Sequence, residues 1–200
     1  MQTVKENVTS EIIVKNSRFI AELFPCTLQS DVRNLIKEQK KLYKDARHVV
    51  HAFIIGSNAE IKGASDDGEP SGTAGRPILS VLQGNNFTNV LLTVTRYFGG
   101  TLLGTGGLVK AYSDAAKLVI KNALDNGLLE ELISLVHFSF STDYANYEKI
   151  KRLFKDYPIQ NVKESFNDFV SVDAFITKEN CDIFFERVKN ITDGKVIPLS

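Results

Sequence analysis

Apolar positions along this 200-residue chain recur with two different periods, and the switches between them predict the elements. Val32, Leu35, Ile36 and Gln39 fall on one face of a helix over residues 30–42, with Asp31 near its positive N-terminal end. A longer amphipathic helix over residues 106–124 carries Leu108, Tyr112, Ala115, Ala116, Val119, Ile120 and Ala123 at helical spacing. Gly127, just past it, suits a helix C-terminus because glycine tolerates the left-handed conformation. Runs of β-favouring residues predict strands at 9–14 and 18–24, joined at Asn16-Ser17, and at 48–55 and 59–63, joined at Gly56-Ser57-Asn58. A short helix is expected near Pro77, where a missing N–H has no intrahelical partner to lose, and residues 90–98 read as a buried strand.

Beyond the long helix the rhythm changes. Strand 132–140, helix 143–154, strands 159–164 and 169–176, helix 179–191 and strand 196–197 follow the βαββαβ plan of ferredoxin-like domains. Val170, Val172, Ala174 and Ile176 alternate onto one face, and Thr142 or Asp143 and Thr177 are suited to cap the two helices. The chain therefore reads as a mixed α/β (α+β) protein of two domains, 1–127 and 128–200, meeting at Asn126-Gly127.

Composition narrows the function. An apolar content of 43% with 24% charged residues describes a folded chain, not a disordered one. Lys plus Arg balance Asp plus Glu at 24 each, which argues against coating nucleic acid by bulk charge. Up to Gly127 there are 15 basic against 12 acidic residues, and after it 9 against 12, so an anion-binding surface is expected in the first part. No apolar stretch approaches the length of a membrane span, and the first residues show no basic segment followed by an apolar run, so a cytoplasmic protein without membrane contact is expected. Cys26 and Cys181 have no metal-ligand or redox spacing and read as reduced, packed thiols.

Two glycine-rich segments carry the candidate chemistry: SDDGEPSGTAGRP at 65–77 and TRYFGGTLLGTGG at 95–107. Such glycine density suggests sharply folded loops or loops that wrap a ligand. The second lies between a strand and a helix, where free N–H groups and the helix dipole favour a phosphate or carboxylate. Nucleotide motifs fail there: Gly99–Gly104 has P-loop spacing, but Thr105 and Gly106 stand where Lys and Ser or Thr are needed. The dinucleotide pattern also breaks, at Val109. Asp66, Asp67 and Glu69 can ligate a hard cation, act as acid and base, or pair with Arg76 or Arg96 and lock the two loops together. They lack the longer ligand spacing of a Ca²⁺ loop. His48 and His51, three apart in a strand, face opposite ways.

These two segments, as SDDGEPSGTAGRPIL (65–79) and VTRYFGGTLLGTGGLVKAY (94–112), resemble the hallmark blocks of the YigZ/IMPACT family, with supporting matches in KNSRFIA (15–21) and DARH (45–48). The resemblance implies an N-terminal α/β domain similar to domain IV of elongation factor G and a C-terminal ferredoxin-like domain. It also implies a connection with translation, because eukaryotic members are regulators that bind a ribosome-associated activator. Those members carry an additional RWD domain, so that partnership is not simply transferred.

The leading expectation is a translation-associated regulatory binding protein that contacts RNA, the ribosome or a translation-regulatory partner through an anion-binding site. Candidate contacts are Arg18, Arg47, His48, Arg76, Arg96 and Lys110, since forked guanidinium donors suit phosphate. Asp66, Asp67, Glu69, Ser71, Thr73, Gly99, Gly100, Thr105 and Gly106 complete the ligand-binding set. The alternative is an enzyme acting on a phosphorylated or carboxylated small molecule held by the glycine-rich loops. No catalytic residue and no cofactor is assigned.

Overall fold

Alternation of buried and exposed side chains organises the first hairpin. After a short strand β1 (Gln2–Val4), strands β2 (Val8–Val14) and β3 (Ser17–Pro25) pair antiparallel, from Val8 opposite Leu23 to Val14 opposite Ser17. The turn is Lys15-Asn16, both with positive φ (46° and 64°). This two-residue geometry matches the twist of the strands, which is why Ser17 joins β3 instead of the turn. The structure, a computed structural model, describes residues 1–199 and divides into two units, Met1–Leu132 and Ile133–Ser200.

In the first unit, helix α1 (Gln29–Leu42) leads to β4 (His48–Ile55) and β5 (Ile61–Ser65), and α2 (Gly75–Gly84) leads to β6 (Val90–Tyr97). The long helix α3 (Gly104–Asp125) then leads to β7 (Leu129–Glu131). Five strands form one antiparallel sheet in the order β2-β3-β6-β4-β5. β6 takes the centre because its apolar and threonine side chains are buried from Val90 to Arg96, as a strand covered on both faces requires. On one face Phe19, Val50, Ala52, Leu92 and Val94 pack in a core with Ile78 and Leu82 of α2 and Leu108, Tyr112 and Val119 of α3. On the other, the Val32, Leu35 and Ile36 stripe of α1 packs with Phe24, Ile55 and Leu91.

β1 and β7 pair with each other, Gln2 opposite Glu131, a two-stranded element too short for any period to reveal. Gly127 does take the positive-φ position that closes α3. The chain then returns to β1, so the units divide after Leu132 and not after Gly127.

The second unit runs β8 (Leu135–Thr142), α4 (Tyr144–Leu153), β9 (Ile159–Phe166), β10 (Val170–Thr177), α5 (Lys178–Ile191), with sheet order β8-β10-β9. Phe138, Phe140 and the alternating Val170, Val172, Ala174 and Ile176 pack with Tyr147, Ile150, Phe184 and Val188 of the helices. This is the βαββα part of the ferredoxin-like plan in a mixed α/β chain. Asp143 caps α4 by accepting from the Asn146 amide at 2.8 Å. Thr177 stands at the cap of α5, but its hydroxyl accepts from the Asn180 side chain instead of the backbone. Residues 196–197 are not a strand: among the described residues one antiparallel bridge, Ser139 with Leu199, is all that forms there. Among the described residues no helix is long and apolar enough to cross a membrane.

Candidate functional site

The three acidic residues of the first glycine-rich segment go to three different partners. Asp66 turns back on its own loop, with Oδ2 accepting from the Gly72 amide (2.8 Å) and Oδ1 from the amides of Ala74 (3.0 Å) and Gly75 (2.8 Å). It thereby supplies the N-terminal acceptor that α2 lacks, since Ala74 at the cap has no side chain to offer. Burial works its carboxyl upward, but the three amides outweigh it and hold the group below the usual range. Asp67 pairs with Lys40 and accepts from the Val49 amide (2.7 Å), and its carbonyl accepts from His48 Nδ1 (2.8 Å). Nε2 of His48 is thereby left for any further bond.

Glu69 is the link to the second segment. Its Oε1 accepts from Arg96 Nη1 at 2.7 Å and from the Tyr112 hydroxyl at 2.8 Å, so β6, α3 and the loop before α2 converge on one carboxylate. The Arg96 and Glu69 side chains are only 7% and 4% exposed. Burial, and then the Glu69 charge, push the Tyr112 phenol far above its ordinary value, which keeps it a donor. The Arg96 guanidinium also lies over the rings of Phe19 and Phe98, 5.5 and 5.6 Å from their centroids. Its Nε is buried without a hydrogen-bond partner among the described residues.

The second segment is fixed to the β2–β3 hairpin. Ser17 Oγ accepts from the Gly99 amide at 3.1 Å, and a Cβ on Gly99 would stand 2.0 Å from the Asn16 carbonyl carbon, so only glycine fits. The 22-residue helix α3 begins at Gly104 with no side-chain cap and no acidic residue in its first turn. Gly106, in that turn, has neither a positive φ nor any neighbour within 4 Å of where a Cβ would be, so nothing in the packing accounts for glycine there.

These parts enclose a cavity of about 420 Å³. Arg47, His48, Glu69, Arg96 and Thr105 form its polar wall. Pro70, Phe98, Leu102, Leu103 and Leu108 form its apolar one. Phe98 and Leu102 are exposed, at 48% and 83%, and Arg47 is exposed without an ion pair among the described residues.

Other sequence candidates lie elsewhere. Arg76, the alternative to Arg96 as a partner of the acidic residues, sits in the first turn of α2 and lines a different, more open groove of about 550 Å³ with Ser113 and Lys117. Arg18 pairs with Glu11 at 2.7 Å and Lys110 with Asp114 at 2.6 Å, both toward solvent. The Thr73 hydroxyl donates to the Pro70 carbonyl at 2.6 Å within its turn, and Ser71 is exposed. Gly100 takes a positive φ of 88° in the loop before α3. Among the described residues no group of three or more His, Cys, Asp or Glu is placed to hold a metal. Tyr112, Ser17 and Phe98 are the site residues that sequence reasoning missed. Tyr112 had been counted only as part of the apolar stripe of its helix, and nothing in its spacing shows that its hydroxyl reaches Glu69.

A third hollow, of about 460 Å³, lies on the second unit, lined by Ser139, Ser141, Ser165, Ser171, Lys163 and Asp173. It holds no buried, unpartnered polar side chain among the described residues.

Residues 15–120 match the model of the Impact N-terminal domain. The sequence is 34% identical to IMPACT family member YvyE of Bacillus subtilis (strain 168), over 96% of this chain and 87% of that protein. It is 32% identical to IMPACT family member YigZ of Escherichia coli (strain K12), over 92% of this chain and 89% of that one. A crystal structure described as that of a hypothetical protein covers 100% of this chain and 96% of its own, with 27% identity and a TM-score of 0.61.

Proposed function

The chain belongs to the IMPACT family, and from that premise we propose that it is a translation-associated regulatory protein that contacts RNA or the ribosome through the anion-binding cavity at the start of α3. The observation that carries the anion site is the uncapped first turn of the long helix α3, whose Gly104 and Thr105 line a cavity that also has the exposed Arg47 in its wall. Free amides at a helix start, together with the helix dipole, favour an anion there. Arg47 at the rim adds an exposed, forked donor. The translational half of the reading rests on what family membership implies, and a translation-regulatory protein remains a partner of the same class.

The enzyme reading needs a free base or nucleophile. Asp66, Asp67 and Glu69 are all engaged by donors, and Glu69, the one in the cavity wall, is held between Arg96 and Tyr112. The test is RNA binding by the full chain at two salt concentrations. Affinity should fall with salt, and Arg47→Ala should weaken binding across sequences while reducing the salt slope by about 1. An unchanged slope in Arg47→Ala, or no binding at low salt, contradicts the proposal.

A further inference from the structure

Helices α2 and α3 leave a groove of about 550 Å³ between them. Each wall carries a row of positions four apart: Arg76, Ser80 and Gly84 on α2, and Val109, Ser113 and Lys117 on α3. The α3 row begins one turn earlier, at Thr105 in the cavity wall, so cavity and groove share one face of that helix. No acidic side chain lines the groove. Arg76 and Lys117 are exposed and have no ion pair among the described residues. Asp66, whose charge reaches Arg76, is held on the amides of its own loop, and Asp114, next to Ser113, pairs with Lys110. Serine inside a helix commonly bonds back to its own backbone, yet the Ser80 and Ser113 hydroxyls have no partner among the described residues. Gly84 closes the α2 row with nothing within 4 Å of where a Cβ would stand, which leaves that end open. Val109, 39% exposed, is the one exposed apolar side chain among the lining residues. Cations and free hydroxyls with so little apolar anchor suit a phosphate backbone and not a protein helix, which binds through buried apolar side chains.

We infer that this groove is the track of a single RNA strand that leaves the cavity at Thr105 and runs along α3 to Lys117, with its phosphates on Arg76, Lys117 and the two serine hydroxyls. The inference rests on the proposed RNA-binding reading and adds the path and length of the bound strand. From Thr105 to Lys117 the helix rises about 18 Å, at about 1.5 Å per residue. One stacked strand places a phosphate about every 3.4 Å, so the track holds about five nucleotides.

Oligoribonucleotides of graded length, from a dinucleotide upward, are titrated against the full chain at low salt. Affinity should climb to a length of about six nucleotides, with about five along the groove and the rest in the cavity, and level off beyond it. Arg76→Ala combined with Lys117→Ala should weaken binding of the longer RNAs about tenfold and lower their salt slope by about 1.4, while leaving the dinucleotide unchanged. Ser80→Glu changes an exposed helix position and should weaken the longer RNAs alone, by placing a negative charge in the track. Lys121→Ala removes a cation one turn beyond Lys117, paired with Asp125 and outside the groove, and should have no such effect. A glutamate hexapeptide should not compete with the RNA. Affinity that stops rising at the dinucleotide overturns the inference and leaves the cavity reading standing, as does parental binding of the longer RNAs by both groove variants. A loss in Lys121→Ala equal to theirs shows general charge in place of a track, and competition by the hexapeptide makes the groove a site for acidic protein segments; either overturns the inference. No binding at any length overturns both the inference and the reading it rests on.

Discussion

Replacing Arg96 with methionine should cost the first unit about 3–5 kcal/mol, the range for removing one partner of a buried ion pair. Methionine is unbranched and adaptable, so it can fill the space between Phe19 and Phe98, and lost packing contributes little. What remains is the Glu69 carboxylate, 4% exposed, with Tyr112 as its single side-chain donor among the described residues at 2.8 Å. Loss of the two cation–ring contacts adds about 0.5–2 kcal/mol each way of counting their desolvation. Adding Glu69→Gln to Arg96→Met removes the orphaned charge while keeping an acceptor for Tyr112. The double variant should therefore be more stable than the sum of the single losses by about 0.5–3 kcal/mol. The chain has no Trp, and its two units need separate readings. Native-state hydrogen exchange of the full-length protein provides them, through the amides of β6 and α3. A loss below about 1 kcal/mol in Arg96→Met, or an additive cycle, would refute the claim that this pair fastens the glycine-rich segments together.

Asp66→Ala strips acceptors from three amides and should destabilise the first unit by about 1–3 kcal/mol at pH 7. Because the folded carboxyl lies below its unfolded value of about 3.9, this stabilisation is present above that pH and is lost as the pH falls through the folded value. Parent and variant should therefore converge in an acid titration, and a constant gap would show that the amides do not act through the ionised form. Thr93, opposite Glu22 on β3 and His51 on β4, has a buried hydroxyl without a partner among the described residues, so Thr93→Val should be neutral or stabilising by about 1 kcal/mol in urea unfolding. A clear loss would place an ordered water on that hydroxyl. Fragments 1–132 and 133–200, expressed separately, should each give a folded circular dichroism spectrum, and two unfolded fragments would deny the units their independence.

Elements whose burial repeats along the chain were legible, and those made by distant pairing were not. The stripe of α1 and the apolar and threonine run of β6 report burial directly, so their positions follow from the sequence. β1 and β7 are three residues each and exist only because they meet. Ile197 and its neighbours look like a strand by residue type, yet among the described residues they meet β8 only through the bridge of Leu199 with Ser139. In the site, a Glu69–Arg96 pair was one of several readings open to the acidic segment. That Asp66 would instead gather amides of its own loop, and Asp67 those of β4, depends on where the loop returns, which side-chain type alone does not encode. Arg76 was, like Arg96, a candidate partner for the acidic segment, yet its place in the first turn of α2 directs it to another groove.

The most direct test of the anion site is backbone and arginine side-chain ¹⁵N chemical-shift mapping of the full chain during titration with a short RNA at low salt. The account predicts the largest shifts at the amides of Gly104, Thr105 and Gly106 and at the Arg47 side chain, all reversing when salt is raised. Shifts confined to other surfaces, such as the serine-lined face around Ser139 and Ser171, with the start of α3 silent, would contradict it.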